Sequence, residues 1–144
     1  MNDYAIVIGV NHYTPPQNLG LRSLNGAIND AERVAEWLEK SAGVPKANIA
    51  LLTSAVNLQR VIKNDVDTTV SSIVQQLAKN GDADRLYFYF AGHGMGVEND
   101  SENNGLCLSN WDEFMFNVAT LSSEDYKRIF VSSGFFKEVV IWLD

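Results

Sequence analysis

Three continuous apolar runs constrain this chain more than any other feature. They are residues 4–10 (Tyr-Ala-Ile-Val-Ile-Gly-Val), residues 85–91 (Arg-Leu-Tyr-Phe-Tyr-Phe-Ala) and residues 138–143 (Glu-Val-Val-Ile-Trp-Leu). A strand with one wet face alternates polar and apolar residues. A run that is apolar at nearly every position, rich in β-branched and aromatic residues, suits a strand covered on both faces. Such strands belong to parallel sheets packed between helices, and all three runs are read here as buried strands. Residues 49–53 form a shorter strand of the same kind.

Between the strands the period changes. Ala27, Ile28, Ala31, Val34, Ala35 and Leu38 recur at helical spacing from about Asn25, with Asp30 and Glu32 near the start and Gly43 and Pro45 ending the helix. Val66, Val70, Ile73, Val74 and Leu77 make a second amphipathic stripe, closed by Asn80-Gly81. Ser122-Ser-Glu-Asp125 resembles a capping box opening a third helix to about Val131. Residues 12–22, with Pro15, Pro16, Asn18 and Gly20, read as a loop; residues 57–63 fit either a short helix or a loop. The polar stretch 98–104 reads as a solvated loop, and residues 106–108 as a short strand. Strands alternating with helices along one chain imply an α/β fold: a mostly parallel sheet with helices on both faces.

Composition excludes several functions. The net charge is −7 with no Lys/Arg cluster, which disfavours nucleic acid and anionic membranes as partners. No apolar run reaches membrane-spanning length, and residues 4–10 are too short for a signal peptide, so a cytoplasmic location is the expectation. The single cysteine, Cys107, excludes an intrachain disulfide and a multi-cysteine zinc site; within its apolar stretch it reads as a small buried hydrophobe. Trp37, Trp142 and most other aromatic residues fall at core spacing.

Ligands of parallel sheets bind beyond the carboxyl ends of the strands, where His93 and Asp144 both stand. A histidine flanked by Gly92 and Gly94 at a strand end suits a general base. Glycine leaves room for a substrate, and the Gly94 N–H is free to face a developing oxyanion. A turn in which these glycines supply positive φ is the competing reading. A phosphate loop is excluded by the spacing, by the lack of a following helix start and by the acidic residues beyond.

Four segments in order resemble successive signatures of the metacaspase and bacterial caspase-like family. They are Tyr-Ala-Ile-Val-Ile-Gly-Val-Asn-His-Tyr (residues 4–13), Leu-Asn-Gly-Ala-Ile-Asn-Asp-Ala (24–31), Tyr-Phe-Ala-Gly-His-Gly (89–94) and Val-Val-Ile-Trp-Leu-Asp (139–144). The resemblance implies a caspase–hemoglobinase type of three-layer α/β sandwich. It also implies a cysteine endopeptidase acting on polypeptides through a Cys–His dyad, with His93 as base and Gly94 as oxyanion donor. In the family the last strand ends in Asp and the nucleophile follows one or two positions later. Asp144 lies 51 positions after His93, against roughly 50 between a caspase histidine and its cysteine. Residues 1–144 are therefore expected to be the large-subunit part of the domain, cut before the cysteine. That piece should lack its small-subunit region and be inactive alone; Cys107 does not match the nucleophile.

Where caspases proper carry an arginine for aspartate this chain has Leu24, while Asp30 falls on the acidic position of the metacaspase pocket for a basic residue, with Ala27 replacing the usual cysteine. Asp30 stands at the border of the helix's apolar stripe; the plainer reading is a first-turn Asp serving the helix dipole. Calcium supports many metacaspases. Glu98, Asp100, Glu102, Asp112, Glu124 and Asp125 offer oxygens here, yet without a recognisable spacing, so no metal or other cofactor is expected. A non-catalytic caspase-like regulatory or interaction module stays open as the alternative.

Overall fold

The computed structural model describes residues 2–13, 21–54, 61–97, 99–112, 114 and 119–144. Much of the loop expected at 12–22, and residues 57–60 of the ambiguous segment, lie outside them. The chain runs β1 (Tyr4–Val10), α1 (Ala27–Lys40), a 3-10 turn (Lys46–Asn48), β2 (Ile49–Ser54), α2 (Lys63–Asn80) and β3 (Ala83–Ala91). It continues through β4 (Gly94–Val97), β5 (Asp100–Cys107), β6 (Thr120–Ser122), α3 (Ser123–Ser132) and β7 (Phe136–Leu143). The main sheet has the order β2-β1-β3-β7, and every pairing in it is parallel.

The doubly apolar pattern has its expected consequence in β1, where all seven residues are buried. Side chains alternate across the sheet, so Ile6, Ile8 and Val10 join Leu86, Phe88 and Phe90 on one face. Val66, Ile73 and Leu77 of α2, with Tyr126 and Phe130 of α3, cover that face. Ala5, Val7, Tyr87 and Tyr89 face the opposite way, against Ala27, Ala31 and Leu38 of α1. These are the three layers the resemblance implied. α1 approaches β1 closely because Gly9 has no side chain: a Cβ there would lie 2.6 Å from the Ala27 carbonyl oxygen and 2.8 Å from the Ala31 Cβ.

The sequence reading needs three corrections. The stretch 98–104 is largely not a loop, since from Asp100 it belongs to β5, which pairs antiparallel with β4 and β6. Main-chain hydrogen bonds make this ladder, so polar side chains are compatible with it. The segment is also tied down from afar: Asn103 Oδ1 accepts from Ser122 Oγ (3.1 Å) at the start of α3. Secondly, among the described residues β7 pairs with β3 alone, and none of its eight residues is fully buried. Thirdly, Trp37 and Trp142 are not core residues; they are 46% and 41% exposed and lie against each other, ring centroids 5.9 Å apart.

Candidate active site

The strand order sets where a ligand site can form. From β1 the chain passes through α1 to β2 on one side, then crosses to β3 on the other, so the order reverses between β1 and β3. Ligands of open α/β sheets collect at the carboxyl ends of such a pair. Asn11–Tyr13 leave β1 there, and Gly92–Gly94 leave β3.

His93 is held at both its main chain and its ring. Its N–H donates to the Tyr13 hydroxyl at 2.7 Å, and its carbonyl accepts from the Cys107 N–H at 2.9 Å. The imidazole lies 5.0 Å from the Tyr13 ring, and Nε2 is 2.8 Å from the Arg22 carbonyl oxygen. A carbonyl only accepts, so Nε2 carries a proton, and in the neutral form of the ring the lone pair falls on Nδ1. The flanking glycines do not supply positive φ, which occurs at Gly43, Gly81 and Gly134. Gly92 serves close approach instead: a Cβ there would stand 2.9 Å from the Tyr13 hydroxyl. Because the Cys107 N–H bonds His93, the next pair, Gly94 with Leu106, is a non-hydrogen-bonded pair of the ladder. The Gly94 N–H therefore points away from β5.

On the α1 face a second group gathers at the same sheet end. The Tyr89 hydroxyl donates to Asp144 Oδ2 at 3.0 Å, and burial together with the Asp144 and Asp30 carboxylates pushes the phenol's pKa up. Asp30 is half-buried, its Oδ2 turned back towards Gly26. It is not the cap of α1: Asn11 Oδ1 accepts the Ile28 N–H at 3.2 Å. Asp144 also continues the β3–β7 ladder, its N–H donating to the Phe90 carbonyl (2.9 Å) and its carbonyl accepting from the Gly92 N–H (3.3 Å). Tyr89 is thus bonded to Asp144 and within the field of Asp30, while His93 is held by Tyr13 and Arg22.

A family model described as the caspase domain matches residues 2–132. The chain belongs to the caspase domain family. It is 28% identical to a probable protease of a Desulfuromonadales bacterium over 154 residues, covering 100% of this chain and 18% of the relative. Metacaspase-1 of Candida albicans is 30% identical over 112 residues, 76% of this chain and 22% of its own. Metacaspase-1A of Aspergillus oryzae is 28% identical over 91 residues, 62% of this chain and 20% of its own. The chain thus spans about a fifth of these relatives' length. A crystal structure of a protein from Geobacter sulfurreducens superposes with a TM-score of 0.60 at 19% identity, over 99% of this chain and 49% of its own, a likeness of fold.

Within this caspase domain, Cys107 is nearer His93 than its sequence position suggests, since their main chains are bonded. The thiol nevertheless points into the core, 1% exposed, and burial pushes it up to about 11, so it is neither accessible nor ionised near neutrality. Glu124 and Asp125 begin α3, where the Asp125 N–H donates to Ser122 Oγ. Among the described residues no three His, Cys, Asp or Glu side chains gather as a metal site. Glu98 lies outside the described residues. No described helix is long and apolar enough to cross a membrane. Sequence reasoning missed Tyr13, Arg22, Asn11 and Tyr89. Tyr13 and Asn11 stand in the Gly-Val-Asn-His-Tyr segment, the one signal that pointed at them.

Proposed function

We propose that this chain is the histidine-bearing part of a cysteine endopeptidase domain that cleaves after basic residues, with the nucleophilic thiol supplied from beyond Asp144. The supporting observation is the β3–β7 register. Phe90 is opposite Leu143, and the Asp144 main chain bonds Phe90 and Gly92, so a continuing strand sets the next two residues opposite Gly92 and His93. A thiol there lies within reach of the imidazole. Nδ1 takes its proton as the sulfur attacks a peptide carbonyl, then returns the proton to the leaving amine. The outward Gly94 N–H is the donor for the oxyanion. Asp30, half-buried and free of capping duty, is the counter-charge for a Lys or Arg side chain of the substrate. Residues 1–144 alone are inactive, because their one thiol is sealed in the core.

A form of the protein extending past Asp144, treated with a peptidyl chloromethyl ketone ending in arginine, tests this. Mass spectrometry should find one adduct, on a cysteine within two positions of Asp144, lost in His93→Ala. In that form Asp30→Ala should lower kcat/KM for arginine substrates by a factor corresponding to about 2–5 kcal/mol. An adduct on Cys107 would refute the assignment; no thiol and no adduct would mean a non-catalytic caspase-like module.

A further inference from the structure

We infer that Tyr13 is a positioning residue for His93, its buried hydroxyl fixing the histidine through the main-chain N–H while its ring supports the imidazole. The inference rests on the reading of His93 as the base. In the β4–β5 hairpin the His93 carbonyl accepts the Cys107 N–H, and in a regular antiparallel pair the His93 N–H would bond Cys107 in return. Tyr13 takes that N–H instead, at 2.7 Å, from a residue 80 positions away. The backbone that carries the base is thereby joined to the exit of β1 as well as to β5.

Three further observations show a built contact. Tyr13 is 5% exposed and belongs to the core cluster that holds Val10, Phe90 and Cys107, so its ring has little freedom. Gly92 leaves the space its hydroxyl occupies, since any Cβ there would lie 2.9 Å from that oxygen. Burial also keeps the phenol protonated, its pKa raised above the ordinary value, so a neutral hydroxyl faces the amide at all working pH values. The ring's second support runs to the same place: Arg22, whose carbonyl meets Nε2, is two residues from Leu24, whose N–H donates to the Asn11 carbonyl at 2.8 Å. Both holds on His93 therefore originate at residues 11–13.

Tyr13→Phe keeps the ring and removes the acceptor. Amide hydrogen exchange measured on this chain should show the His93 amide exchanging about tenfold faster or more, as for a buried N–H that has lost its partner. The Cys107 and Leu24 amides should change less than about twofold. A lower Tm with His93 exchange unaltered would mean that Tyr13 merely packs, and overturns the inference. Should the variant fail to fold, the wild-type chain decides: a His93 amide exchanging far faster than that of Cys107 also overturns it. In a form that turns over peptides, Tyr13→Phe should lower kcat about tenfold or more with KM nearly unchanged. If no form turns over peptides, the peptidase reading fails while the exchange result still judges the Tyr13 contact.

Discussion

β1 and β7 carry the same apolar code and end in opposite environments. β1 lies between β2 and β3 with helices over both faces, and every residue is buried. Among the described residues β7 is bonded to β3 along one side only, with Trp142 and Leu143 each 41% exposed. Its first half is guarded by charge. Lys137 pairs with Asp84 at 2.6 Å, and Glu138 pairs with Arg85, both across to β3. Its second half, Val139–Leu143, has no such guard and runs straight to Asp144 and the His93 site. An apolar run thus tells what a strand can tolerate; the topology decides what covers it.

The sharpest way to break this comparison is to remove the same side chain from both strands. Ile8→Ala empties a site that is fully buried and should cost about 2–5 kcal/mol of unfolding free energy. Ile141→Ala, only partly buried at the edge, should cost about half as much or less. Urea unfolding of the two variants measures the difference. Equal costs would show that β7 is covered in solution.

The same contrast explains what was legible in the sequence. The four parallel strands and three helices were readable because continuous apolar runs and the 3.6-residue stripe leave local signatures. The first part of β5 was not, because Asp100–Asn104 is polar and its pairing is a main-chain matter; its end was legible at residues 106–108. An open edge at β7 is expected from the family resemblance, since caspase-like folds continue into a small-subunit region; the exposure of Trp142 is not, because it depends on which strand lies beside it. In the site, His93 and Asp30 stood out by their flanking residues. The hydroxyl on the His93 N–H, the Asn11 cap on Ile28 and the Tyr89–Asp144 bond join residues 80, 17 and 55 positions apart, and no local pattern announces them.

Cys107 extends the comparison to pH. Although it belongs to the hairpin, its thiol shares the core cluster of Ile8. Burial raises its pKa from an ordinary 9.0 to about 11, so the folded state holds the proton more tightly than the unfolded state. That contribution is whole below about pH 9 and is lost as pH climbs towards 11, at up to about 1.4 kcal/mol per unit. Cys107→Ala, itself slightly destabilising through its cavity, should therefore show a shallower decline in unfolding free energy across this window. Parallel pH profiles for the two proteins would instead place the thiol at the surface, with the edge strand rather than with β1.

The smallest effect is expected at the end of β7. Leu143→Thr puts a β-branched strand former at a position that is already 41% exposed, so it should change the unfolding free energy by no more than about 0.5 kcal/mol. The figure sharpens the contrast with Ile8, because both residues stand in apolar stretches of parallel strands. Among the described residues no strand pairs with the outer side of β7, and Leu143 borders that side next to Asp144. If another strand, from a longer form of the protein or from a second copy, lies along it, Leu143 becomes interior and the substitution becomes costly. Urea unfolding at two protein concentrations about a hundredfold apart separates the cases. A small cost, equal at both concentrations, is the result for a lone edge strand. A cost that grows with concentration would mean that a second copy covers the edge.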